Sequence, residues 1–133
     1  MSAKTVLLVE DDPDTRLIYS TMLEASGFRV IQGRDGTEGV ELARAHVPDL
    51  IIMNLVMPEI DGLSATELIR ANPATAMTPI IACTAFLHED GGVMANDAGC
   101  NGYLEKPCEP TKLVSAVKSF IGEIENPIPA GGA

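Results

Sequence analysis

Residues 50–53 read Leu-Ile-Ile-Met, apolar without a break, and Thr5–Val9 and residues 79–83 come close to the same pattern. A strand with one wet face alternates apolar and polar residues. A strand that does not alternate must be covered on both sides, which in practice means a parallel sheet between two layers of helices. That requirement limits the chain to α/β architectures before anything else is considered.

The segments between these runs supply the helices. Asp12-Pro13 places a capping carboxylate before a proline suited to the first helical position. Leu17, Ile18, Met22 and Leu23 then follow at helical spacing up to a stop at Gly27. Residues 28–32 form a second strand and residues 37–46 a helix broken by Pro48-Asp49. Residues 56–62 are a loop marked by Met57-Pro58 and Asp61-Gly62, followed by a helix over 63–70. After the strand at 79–83 comes a helix over 88–98, weakened at its start by Gly91-Gly92. Residues 102–105 are a fifth strand. Leu113, Ala116, Val117, Phe120, Ile121 and Ile124 mark a last amphipathic helix. Strand and helix thus alternate five times, which predicts a doubly wound parallel sheet with right-handed crossovers. One domain is expected over residues 1–124, with a Pro- and Gly-rich flexible tail over 125–133.

With 133 residues the chain suits a single core, and without tryptophan that core must be built from Val, Ile, Leu, Ala and Met. The net charge of −10 and the lack of a basic run speak against nucleic acid as a partner. Cys83, Cys100 and Cys108 match no zinc spacing and are read as reduced packing residues. No stretch approaches the length of a membrane span and Met1 to Lys4 does not suit a signal peptide, so a cytoplasmic protein without membrane attachment is expected.

In doubly wound sheets the site lies at the carboxyl ends of the strands. Those ends carry Glu10-Asp11-Asp12, Asn54, Thr84-Ala85 and Lys106-Pro107. Adjacent carboxylates attract a hard cation such as Mg2+, which prefers oxygen ligands. A hydroxyl and an ammonium beside it can hold the oxygens of a phosphoryl group. Read singly, Asp11 and Asp12 are equally good helix caps, Thr84 a strand-end hydroxyl and Lys106 a surface lysine; their shared location is what makes them a constellation.

The residues that form it also carry a resemblance. Val6-Leu7-Leu8-Val9-Glu10-Asp11-Asp12, the stretch from Asp49 to Gly62, Thr84-Ala85 and Tyr103-Leu104-Glu105-Lys106-Pro107 together resemble the receiver domain of two-component response regulators, closest to receivers without an output domain. The likeness covers roughly residues 4–124. It implies a flavodoxin-like sheet of strand order 2-1-3-4-5 with five helices. It implies a signalling module, not an enzyme, served by a histidine kinase or histidine phosphotransfer protein, with a downstream protein target. Receivers often pair through the last helix and the face around the switch aromatic, so a homodimer is implied as well.

By the same resemblance Asp11 contacts Mg2+ directly, Glu10 through water, and Val56 through its backbone carbonyl. Thr84 is the switch hydroxyl, Lys106 contacts the phosphoryl group, and Tyr103 is the switch aromatic. Asn54 stands where the family has its phosphate-accepting aspartate. An amide cannot form an acyl phosphate, and its neutrality removes an attraction of about 4 kcal/mol at ~4 Å and an effective dielectric of ~20. Mg2+ is therefore expected to bind more weakly, with the amide oxygen as a remaining ligand, and Lys106 to lose an ionic partner. Two readings follow: a receiver with its acceptor replaced, or a natural receiver-like module that binds partners without phosphorylation. A hydrolase on a similar sheet ranks behind both, for want of a nucleophile or a second metal site.

Overall fold

The computed structural model describes residues 3–57, 60–85 and 92–122, with the side chains of residues 84 and 92–94 outside that description. The tail over 125–133 and the helix start at His88 also lie outside the described residues. In chain order the elements are β1 (Thr5–Val9), α1 (Pro13–Ala25), β2 (Arg29–Gly33), α2 (Gly36–His46), β3 (Leu50–Asn54), α3 (Gly62–Ala71), β4 (Ile80–Thr84), α4 (Gly92–Ala98), β5 (Gly102–Glu105) and α5 (Pro110–Ile121). All strand pairings are parallel, in the order β2-β1-β3-β4-β5. The expected flavodoxin-like, doubly wound architecture is the one observed.

The unbroken apolar runs divide their side chains between two cores. Leu7, Val9, Ile51, Met53, Ile80 and Ala82 face one side, against Ala43 of α2, Ala65 and Ile69 of α3, and Ala95 of α4. Val6, Leu8, Leu50, Ile52, Ile81 and Cys83 face the other, against Tyr19 and Leu23 of α1 and Leu113, Val114 and Val117 of α5. Leu7, Leu8, Ile51 and Ile52 are almost entirely removed from water. Burial of each such side chain contributes roughly 1.5–3 kcal/mol.

Aspartates begin three of the helices. Asp12, Asp35 and Asp61 accept the backbone N–H of Thr15, Glu38 and Ser64. The cap predicted at Asp12 and the proline at the first turn are both present. Helix α1 gives way at Ser26, followed by Gly27 at φ 98°. Helix α2 ends on Val47, held in the left-handed region at φ 43° before Pro48.

Two strands are offset from their predicted positions. Phe28 lies before β2, because its N–H is donated to Leu23 O at the end of α1, while Gly33 joins the strand. Strand β4 starts at Ile80 because Pro79 has no N–H; the proline contributes only its carbonyl, to Ile51 N.

Candidate functional site at the carboxyl ends of the strands

The parallel arrangement delivers Glu10, Asp11 and Asn54 to one end of the sheet, because β1 and β3 are neighbours in register from Val6 opposite Leu50 to Val9 opposite Met53. Glu10 is the first residue beyond β1, and its N–H is donated to Gly33 O. Asn54 is the last residue of β3. After it the chain turns tightly enough that Gly62 N bonds to Leu55 O. This turn requires glycine: a Cβ at residue 62 would collide with the backbone oxygen of Asn54 and come within 2.7 Å of Leu55 Cα. The first turn of α3 thus rests directly on the end of β3.

Asn54 and Glu10 are both buried. The Asn54 amide nitrogen, Nδ2, donates to Asp11 Oδ1 at 2.8 Å, to Val56 O at 3.1 Å and to Glu10 Oε2 at 3.2 Å. These are the three groups that the resemblance assigned to a metal. The sequence leaves the amide oxygen as a remaining ligand; in this structure it is the NH2 end that faces the acidic pair. All three neighbours are acceptors, so the NH2 end of the amide is turned to them, with its two hydrogens shared among the three.

The expectation for Lys106 is corrected as well. Its Nζ pairs with Glu10 Oε1 at 2.8 Å, so the lysine has an ionic partner independent of residue 54. The peptide between Lys106 and Pro107 is cis. Glu10 is saturated from several directions: Lys106 on Oε1, and Asn54 and the N–H of Asp12 on Oε2. Its backbone carbonyl also accepts from Arg16 Nη1 at 2.8 Å. A buried carboxylate persists only when its lone pairs are used in this way.

Asp12 caps α1 and bonds the Thr15 hydroxyl at 2.6 Å as well as the Thr15 N–H; together these bonds hold its carboxyl below the usual range. Thr84 ends β4, its backbone in register with Glu105; its hydroxyl lies outside the described side chains. Tyr103 stands half-exposed on the edge strand β5, opposite Ala82, and the described hydrogen bonds do not join it to the Asn54 cluster.

Two features were not anticipated from sequence. One is Arg16, whose placement one helical turn past the cap lets it reach back to Glu10. The other is a groove of about 380 Å³ beside Lys106, lined in part by Ile18, Tyr19, Pro107 and Cys108. The Tyr19 hydroxyl spans it by donating to Cys108 O at 2.9 Å. Ile18, on α1, is about half exposed, at 51%.

As a metal site, the cluster offers two carboxylates and one carbonyl, all hard oxygen donors. Among the described residues no three carboxylate, thiol or imidazole side chains converge. The oxygens present are already taken by the Asn54 NH2. The residues as they stand do not fit the ion.

A family profile described as the response regulator receiver domain matches residues 6–118. The polar-differentiation response regulator DivK of Brucella anthropi is 34% identical over 120 residues, covering 90% of this chain and 98% of that protein. Among solved structures, the chemotaxis protein CheY4 of Vibrio cholerae superposes with a TM-score of 0.85 at 26% identity, covering 90% of this chain and 99% of that one. The receiver domain of the sensor histidine kinase PA1611 from Pseudomonas aeruginosa, solved with a magnesium ion coordinated in its active-site cleft, gives 0.83 at 36% identity, covering 92% and 100%. No helix among the described residues is long and apolar enough to cross a membrane. The fold, the strand-end cluster and these similarities have one common explanation: the chain belongs to the response regulator receiver family of two-component signalling.

Proposed function

We propose that this chain is a receiver module engaged by a histidine kinase or histidine phosphotransfer protein and held in its unphosphorylated conformation because Asn54 occupies the acceptor position. The observation that carries this reading is the Asn54 amide at the centre of the strand-end cluster, within hydrogen-bond distance of Glu10, Asp11 and Val56 O. Acyl phosphate formation needs a carboxylate oxygen as nucleophile, and an amide offers none. Lys106 and Thr84 take the phosphoryl-contacting and switch roles, and Tyr103 is the aromatic that responds to them. Mg2+ is the cation of the reading, suited to a form with Asp at 54 and opposed in this chain by the Asn54 NH2, which already holds the oxygens the ion would need. Its output is a change of partner affinity, not turnover of a substrate.

Substitution of Asn54→Asp should create an acceptor. Incubated with Mg2+ and a small acyl phosphate donor, that variant should gain the mass of one phosphoryl group, while the unsubstituted chain gains none. Failure of the variant to be labelled would sink this reading. A phosphorylation-independent binding module is the second reading, favoured by the saturated bonding of Glu10. It is distinguished by partner affinity that is the same for both forms before and after donor treatment.

A further inference from the structure

We infer that the Asn54 carboxamide takes the place of a divalent cation in this chain, so that the acidic loop after β1 and the loop after β3 are held together by a side chain and not by an ion. The inference rests on the receiver reading only for which ion is displaced. Its basis is the arrangement around Nδ2. Asp11 Oδ1, Val56 O and Glu10 Oε2 surround that single nitrogen at 2.8, 3.1 and 3.2 Å. Two of the three are carboxylates of consecutive residues; Lys106 offsets the charge of Glu10 from its Oε1 side, and Asn54 Nδ2 is the donor that stands between Glu10 Oε2 and Asp11 Oδ1. An amide NH2 carries two polarised hydrogens and no net charge. It is therefore a weak substitute for a cation, but one that is covalently present at all times and costs no ion capture.

The competition is steep for magnesium. Mg2+ needs its oxygens at about 2.0–2.1 Å in a near-octahedral shell and gives up water reluctantly. To enter, it must evict Nδ2, turn the amide oxygen inward and break the hydrogen bonds that two N–H hydrogens share among three acceptors, two of them carboxylates and so the stronger kind. In return it gains a neutral oxygen where a third carboxylate would have been. Glu10 cannot reorganise freely to help, because Lys106 holds Oε1 at 2.8 Å and the Asp12 N–H holds Oε2 at 3.1 Å. The clamp is thus internal and always closed, and the conformation of both loops is independent of the divalent cation concentration.

Thermal unfolding followed by circular dichroism, in EDTA and in millimolar MgCl2, tests this in three forms of the full chain. The unsubstituted protein should unfold within about 1 °C of the same midpoint in both conditions. Asn54→Asp should be the less stable protein in EDTA, and Mg2+ should raise its midpoint by about 3–5 °C. Asn54→Ala should lose stability in EDTA, because both donors are gone, and should acquire a magnesium response that the parent lacks. A parent midpoint that rises with Mg2+ as much as that of Asn54→Asp overturns the inference. So does an Asn54→Ala variant as stable as the parent in EDTA, and so does a flat response from Asn54→Asp, since there would then be no cation site for the amide to fill. If Asn54→Ala does not fold, Mn2+ provides the second measurement: it should broaden the amide NMR signals of residues 11 and 56 in Asn54→Asp and leave them sharp in the parent, and equal broadening in both overturns the inference. The acyl phosphate labelling of Asn54→Asp judges the receiver reading separately from any of these outcomes.

Discussion

At position 54 an amide and a carboxylate have the same shape and opposite hydrogen-bonding sense. The identity of the residues around it could be read from the sequence, because strand-end positions in a parallel sheet are set by the apolar runs that precede them. The direction of the amide could not. It depends on three acceptors meeting at one point, and one of them is the backbone carbonyl of Val56, which has no signature in residue type. The pairing of Lys106 with Glu10 is hidden for a related reason: the two stand 96 residues apart and meet only at the shared end of the sheet. A different residue shows strain that residue type alone does not reveal. Val47 is β-branched, 48% exposed and held at φ 43°. The left-handed region costs an L-residue roughly 1–2 kcal/mol, and asparagine tolerates it best after glycine. Val47→Asn should therefore raise the unfolding free energy by about 1 kcal/mol, measured as a higher urea midpoint at unchanged slope. An unchanged midpoint would mean the turn carries no strain.

Among the elements, those with the strongest sequence signals were located best. β1 and β3 were read to within a residue, because nothing polar interrupts them. Errors fell at strand ends where backbone hydrogen bonding, not side-chain character, decides membership, as at Phe28 and Pro79. What sequence reading left out altogether was the tie between α3, the loop after it and the loop after α4. Arg70, near the end of α3, donates to Gly99 O at 2.9 Å, Thr75 O at 3.1 Å, Ala76 O at 3.2 Å and Asn101 Oδ1 at 2.7 Å. Asn101 in turn accepts Ile80 N at 2.8 Å with the same oxygen, so the guanidinium also anchors the start of β4. Burial pulls the Arg70 pKa down from its ordinary value, which reflects the cost of placing this cation among neutral carbonyls. Arg70→Met keeps the aliphatic stem and removes every donor, which takes from Gly99 O and Ala76 O their Arg70 donor, while Thr75 O keeps Thr78 N and Asn101 Oδ1 keeps Ile80 N. At roughly 1–3 kcal/mol for a buried acceptor left unpaired, partly relieved by water, a total loss of about 3 kcal/mol is expected in urea unfolding. A loss below about 1 kcal/mol would show that water replaces the guanidinium fully.

For the molecule as a whole, two buried acids contribute to the loss of stability at alkaline pH. Burial pushes the Cys83 thiol up to about 12 from 9.0, and burial likewise pushes the Tyr19 hydroxyl up to about 12 from 10.0. Both stay protonated in the folded protein while the unfolded chain ionises earlier. Their stabilising effect is therefore complete below pH 9.0 and is lost as pH rises from there toward about 12. Each group can add a slope of at most about 1.4 kcal/mol per pH unit in that range. Cys83→Val removes the thiol and keeps an apolar side chain, so its unfolding free energy should fall less steeply between pH 9 and 11 than that of the parent. Parallel slopes would assign the alkaline loss to other groups. Tyr19 has one further consequence. The chain contains no tryptophan and only two tyrosines, Tyr19 and Tyr103. One lies buried against the groove beside Lys106 and the other half-exposed on β5. Replacing Tyr103 with phenylalanine would leave Tyr19 as the single tyrosine, so that all tyrosine emission would report on one ring beside the groove next to Lys106, an intrinsic optical probe that needs no added dye.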